Sequence, residues 1–125
     1  MIEIQSIADI ELLRESVDLE CKLAGGRDGQ GAVPDDFWTT YSAFANTEGG
    51  MVLLGLREKN RHFEVAGIQN VAKVRKELFD GLNNRQKVSV NLLTDAAVRE
   101  IELAGKTILA IEVPRATRKQ RPVYL

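Results

Sequence analysis

The segment Met51-Val52-Leu53-Leu54-Gly55-Leu56 constrains the chain more than any other, because it is apolar on both alternating sets apart from Gly55. Side chains of a strand point alternately to its two faces, so a run that is apolar on both must be covered on both. It reads as a central strand and not a sheet edge. The cover has to come from a chain of 125 residues, 44% of them hydrophobic. That is enough for one core and too short for a second catalytic domain.

Around this strand the apolar period changes repeatedly. Ser6 with Asp9 forms an acidic version of a capping box, and Ile7, Ile10, Leu13 and Val17 recur at helical spacing, which predicts a helix over 7–14. Leu19, Cys21 and Leu23 then alternate with Glu20 and Lys22, predicting a half-buried strand with Glu20 and Lys22 on its polar face. Gly25, Gly26, Gly29 and Gly31 fall in an aperiodic loop that ends at Pro34. Pro34, Asp35 and Asp36 open a second helix, whose face is Phe37, Tyr41, Phe44 and Ala45 and whose end near Thr47 is enforced by Gly49 and Gly50.

Arg57 to Arg61 reads as a charged turn, and Phe63 to Ile68 as a strand returning beside the central one in a hairpin. Val71, Val74, Leu78 and Leu82 mark an amphipathic helix over 71–83. Strands are expected over 88–93, 98–103 and 108–113, the last two joined by a turn around Gly105 and Lys106. From Pro114 to Leu125 there are two prolines, four bases (Arg115, Arg118, Lys119, Arg121) and no acid, which predicts an extended cationic arm or linker. The order of elements predicts an α+β fold, a mixed sheet with packed helices, in a single domain over 1–125.

Charge limits the partners. Seventeen Lys plus Arg against 18 Asp plus Glu leave a net charge of -1, so the chain lacks the overall basic footprint of many nucleic-acid binders and any phosphate-binding surface must be local. The first twenty residues hold Glu3, Asp9, Glu11, Glu15, Asp18 and Glu20 against Arg14 alone. The arm at the other end is a solvated tail on charge-run grounds, or a phosphate contact. Lys73, Arg75 and Lys76 fall in the first turns of their helix, where the dipole disfavours a cation by about 0.3 kcal/mol or more each and a bound anion would relieve the cost.

Other chemistry is thinner. Glu15, Glu20 and Glu58 sit at predicted strand and helix ends and would form a Mg²⁺ or Mn²⁺ site if they converge, since hard cations take oxygen ligands; otherwise they are surface charge. The glycine loop is neither G-x-G-x-x-G nor a P-loop ending in G-K-[ST], which excludes nucleotide binding by those devices. Trp38, Tyr41 and Phe44 could stack bases, but their helical spacing predicts core. Cys21 is the single cysteine and His62 the single histidine, so there is neither an internal disulfide nor a zinc spacing, which fits a reducing, cytoplasmic setting. No apolar stretch approaches the roughly 20 residues of a membrane helix, and the acidic start is unlike a signal peptide.

Two segments carry a resemblance. Glu15-Ser16-Val17-Asp18-Leu19-Glu20-Cys21-Lys22 is similar to an E-S-x-x-[LV]-E-[FC]-K signature, and Ser42-Ala43-Phe44-Ala45-Asn46-Thr47-Glu48-Gly49-Gly50 to an S-A-F-A-N-T-x-G-G signature, of the Schlafen/Alba-like domain family. Met51 to Leu56 resembles the family's hydrophobic strand, Val65-Ala66-Gly67-Ile68 its V-x-G-[IV] step, and Pro122-Val123-Tyr124 its P-V-Y continuation. The resemblance implies a mixed α+β nucleic-acid-binding domain, found at the N-terminus of bacterial transcriptional regulators and of proteins described as ATP-dependent helicases. It also implies that further C-terminal domains follow in the longer protein. In animal members a similar domain is a metal-dependent endoribonuclease with three acids; the first two correspond to Glu15 and Glu20, and Glu58 stands where an aspartate is usual. Lys22 matches the signature lysine and would hold a phosphate or pair with Glu20. Asn46 is expected to brace its own corner by local hydrogen bonding.

Three readings follow. The first is a nucleic-acid-binding module, DNA rather than RNA, serving a transcriptional regulator through Lys22, Lys73, Arg75, Lys76, Arg115, Arg118, Lys119 and Arg121. It needs no cofactor, and it requires those cations to gather on one exposed face. The second is a Mg²⁺- or Mn²⁺-dependent endoribonuclease using Glu15, Glu20 and Glu58. The third is a protein interaction or homodimerisation module.

Overall fold

A computed structural model of the chain describes residues 4–125, so Glu3 lies outside the described residues. It contains helices α1 (Ile7–Ser16), α2 (Phe37–Ala45) and α3 (Val71–Leu82) and strands β1 (Leu19–Lys22), β2 (Gly50–Leu54), β3 (Leu56–Lys59), β4 (His62–Val65), β5 (Val98–Leu103) and β6 (Lys106–Val113). Four strands form a mixed sheet in the order β1-β2-β6-β5, and β3 pairs with β4 in a separate two-stranded ribbon. The α+β architecture is the one expected from the sequence.

The doubly apolar segment behaves as its pattern requires. β2 lies inside the sheet, parallel to β1 and antiparallel to β6. On one face Val52 and Leu54 join Leu109 and Ile111 under α2 and α3. On the other, Met51 and Leu53 join Ile108 and Ala110 under α1 and the β3–β4 ribbon. Fully burying one such Leu or Ile is worth about 1.5–3 kcal/mol, so the sheet's two faces carry most of the fold's driving force.

α1 and α3 start where local chemistry says, while α2 begins only at Phe37, three residues after Pro34, and ends at Ala45. The Ser6 N–H donates to Asp9 Oδ2 at 3.1 Å, closing the first turn of α1. α1 runs to Ser16, two residues beyond the expected end, and Val17 leaves it as an extended, exposed residue. In α3 the Asn70 side chain accepts from the Lys73 N–H at 3.1 Å, and Val74, Leu78 and Leu82 turn inward.

Two expected strand pairings are corrected. Phe63 to Ile68 does not return beside the central strand, because both edges of β2 are already taken by β1 and β6. Gly55, at φ +96°, instead turns the chain out of the sheet; Arg57 to Lys59 lie in β3, paired with β4, and the expected turn is confined to Asn60 and Arg61. The stretch 88–93 is not a strand. Its backbone is satisfied by a side chain: Tyr41 Oη donates to Val90 O at 2.7 Å and accepts from Leu92 N at 2.9 Å.

The segment after β6 is the third correction. It is packed against the domain and not free, since Ala116 and Val123 are each only 2% exposed. The Ala116 N–H donates to Ala45 O at 2.8 Å, and the Ser89 N–H donates to Tyr124 O at 2.9 Å. The chain folds back over the end of α2. Asn46 takes part in this rather than bracing only its own corner, as its amide binds the backbone of Val123.

Candidate functional site

The eight candidate cations come from three parts of the fold: β1, α3 and the segment after β6. Lys22 pairs in register with Leu54 and Gly50 with Val113, so Lys22 and the Arg115 that follows β6 lie at opposite ends of the sheet. The separation has a topological cause: β1 and β6 run in opposite directions.

Most of the eight are also engaged inside the chain. Glu20 and Lys22 share a side of β1, yet only Glu20 is exposed. The Lys22 side chain is 11% exposed and its ammonium lies 3.1 Å from Asp36 Oδ2 at the start of α2. Lys73 sits 3.3 Å from Asp28, and Lys76 2.8 Å from Asp80 one turn along α3. The carboxyl of Asp28 is held below its usual range by the Gln30 N–H and then by Lys73, while the Asp80 carboxylate pushes Lys76 up.

Arg75 is a structural clamp. Its guanidinium donates to Val98 O at 2.8 Å and Asp95 O at 3.0 Å, with Cζ over the Phe79 ring at 5.6 Å from its centre. The unfavourable position of these cations near a helix N-terminus is thus offset by acids and carbonyls of the chain itself. Arg115 is loosely tied to Glu48 at 3.7 Å.

Three cations are different. Arg118 and Lys119 are exposed and Arg121 is half-buried, and no ion pair among the described residues involves any of them. They stand together on the folded-back segment. Its turn is closed by the Gln120 and Arg121 N–H groups donating to Thr117 O at 3.0 and 3.1 Å. Arg118 and Arg121 line one shallow concavity with Asn46 and Pro122.

Sequence reasoning passed over a second basic point, the tip of the β3–β4 ribbon. Lys59 and Arg61 are exposed there, and Asn60 and Arg61 hold φ of +52° and +67°. The signal was the asparagine, a residue that tolerates the left-handed region in two-residue hairpin turns.

The carboxylates do not assemble a metal centre. Glu58 lies on β3, not directly beyond the end of the central strand, and accepts from Arg14 Nη1 at 2.6 Å. Glu20 and Glu58 both flank Cys21, but Arg14 stands among them. Glu15 instead lines a cleft of about 650 Å³ with Asp18, Glu48 and Glu112. Among the described residues no three His, Cys, Asp or Glu side chains come together in a way that could hold a metal ion. A divalent cation needs several converging oxygens, and these residues do not fit one.

Burial, with Glu58 and Glu20 adding to it and Arg14 opposing, pushes the Cys21 thiol up to about 12 from 9.0. The unfolded thiol ionises first as pH rises, so this group's contribution to stability is complete below 9.0 and is lost as pH climbs toward 12. Cys21 should resist iodoacetamide at neutral pH in the native chain and react once urea unfolds it. Rapid native labelling, followed by mass spectrometry, would contradict this placement.

The aromatic residues that open α2 are core. Phe37 and Tyr41 are fully buried and Trp38 is 6% exposed, with its ring edge-on to Phe37 at 5.0 Å. Trp38 and Tyr41 are thus unavailable to a base, and Phe44 is half-buried against the core.

The family model described as Schlafen, AlbA_2 matches residues 15–124. A solution structure of the N-terminal domain of a Nitrosomonas europaea protein, named as related to the ATP-dependent DNA helicase RecG, superimposes with a TM-score of 0.69 at 25% identity, covering 94% of this chain and 76% of that one. The crystal structure of the DIP2311 protein from Corynebacterium diphtheriae gives a TM-score of 0.56 at 19% identity over 94% of this chain and 23% of that one. The latter likeness is one of fold. No curated protein matches. No helix among the described residues is long and apolar enough to cross a membrane.

Proposed function

The chain belongs to the Schlafen, AlbA_2 family, and on that premise we propose that it is a nucleic-acid-binding domain of a transcriptional regulator that contacts duplex DNA through the cationic turn at 117–121. The observation that carries the reading is the grouping of Arg118, Lys119 and Arg121, without acid partners among the described residues, on one anchored turn. Every other candidate cation is tied to an acid or a carbonyl of the chain. Guanidinium and ammonium groups held apart from carboxylates are what a phosphodiester needs, and they fix register rather than read sequence. The Nitrosomonas domain, whose parent is named for a DNA helicase, supports DNA over RNA.

The cleft beside Glu15, Asp18, Glu48 and Glu112 adds direction. Its carboxylates repel a phosphate backbone, so the duplex approaches from the turn. Amide chemical-shift mapping of the ¹⁵N-labelled chain with a short duplex tests this. The largest changes are expected over 115–121 and the end of α2. Changes centred on the start of α3, or none at low salt, would overturn the reading. Cleavage of structured RNA with Mn²⁺, abolished by Glu20→Gln, would assign nuclease activity in its place.

A further inference from the structure

We propose that Ser42 and Asn46 are positioning residues, which pin the cationic turn to the end of α2 so that it meets phosphate already ordered. This rests on the functional reading above and names the device behind it.

Asn46 caps the end of α2, and its amide behaves as a strand partner for Val123. Its Oδ1 accepts from the Val123 N–H at 2.7 Å, and its Nδ2 donates to Val123 O at 3.1 Å and to Ser42 Oγ at 3.4 Å. Ser42 Oγ donates to the same Val123 carbonyl at 2.7 Å. Both N–H groups of the amide are thus spent on the chain, so Asn46 has no donor left for a phosphate. Asn46 lines the concavity beside Arg118 and Arg121 as a brace and not as a contact.

The second pin is Ala116, whose N–H donates to Ala45 O. Between the pins, the Thr117 N–H donates to Gln120 Oε1 at 2.9 Å, and Thr117 O takes the N–H groups of Gln120 and Arg121. The three cations therefore sit on a loop fixed at both ends and closed on itself. An unanchored arm would spend binding free energy on ordering itself, and this one does not. Ser42 and Asn46 lie four residues apart on one side of α2, far in sequence from the loop they hold.

Asn46→Ala and the milder Ser42→Ala separate positioning from charge. With all three cations still present, the salt dependence of duplex binding should keep its wild-type slope, while affinity falls about tenfold in Asn46→Ala and less in Ser42→Ala. Trypsin should cut after Arg118 and Lys119 much faster in Asn46→Ala than in the wild type, under conditions where circular dichroism shows both folded. Wild-type affinity together with wild-type trypsin resistance in folded Asn46→Ala would overturn the proposal. If Asn46→Ala does not fold, Ser42→Ala carries the same two readouts. If the wild-type chain binds no duplex at low salt, the functional reading fails, and the proteolysis still decides whether the clamp holds the loop.

Discussion

Gly49→Ala should lower stability by roughly 2–5 kcal/mol, combining left-handed backbone strain with an enforced clash. Gly49 holds φ +81°, and a Cβ there would stand 2.7 Å from Val113 O and 3.1 Å from Arg115 N. Both neighbours are backbone, so no side chain can swing away. The position is the joint where α2 turns into the central strand and where the segment after β6 crosses it. Gly105→Ala isolates the strain component: it has φ +75° with nothing within 4 Å, and should cost about 1 kcal/mol. Urea unfolding of the two variants reads the difference. Equal losses would mean that the crossing at Gly49 is looser than described.

That joint shows how the S-A-F-A-N-T-x-G-G segment divides its work. Gly49 and Gly50 serve packing, a Cβ on Gly50 meeting the Phe44 ring at 2.6 Å. Ser42 and Asn46 serve the loop that carries the cations. A single stretch of sequence thus links the core to the surface that the functional reading depends on.

Elements governed by local chemistry were legible in the sequence. The three helices follow from apolar spacing, the central strand from a run apolar on both faces, and the β5–β6 turn from Gly105. What escaped was governed by distant partners. Nothing near Val88 to Leu93 says that Tyr41 will satisfy its backbone in place of a neighbouring strand. Nothing near Phe63 says that both edges of β2 will be occupied.

The site divides along the same line. Basic residues are visible in the chain, but whether one is free depends on which acid the fold brings to it. Lys22 finds Asp36, Lys73 finds Asp28 and Glu58 finds Arg14, each a pairing across sequence that composition does not reveal. The arm escaped notice as structure because its anchors, Ala116 and Val123, are small apolar residues in a segment otherwise dominated by charge.

Removing the charges of the cationic turn should have the largest effect on function. Each neutralised phosphate contributes about -0.9 to the slope of log affinity against log salt, so three contacts contribute about -2.7. Replacing Arg118, Lys119 and Arg121 by Gln should flatten the slope by that amount and weaken duplex binding by roughly two to three orders of magnitude near 0.1 M salt. Stability should change little, because the three side chains make no ion pair among the described residues. Lys73→Gln with Lys76→Gln is the matched control. Those cations are neutralised by Asp28 and Asp80, and the slope should stay close to wild type.

The direct measurement is the salt titration of duplex binding for wild type, the triple variant and this control. The account predicts a flattened line for the triple variant alone. A triple variant parallel to wild type, or a control that flattens as much, would contradict it.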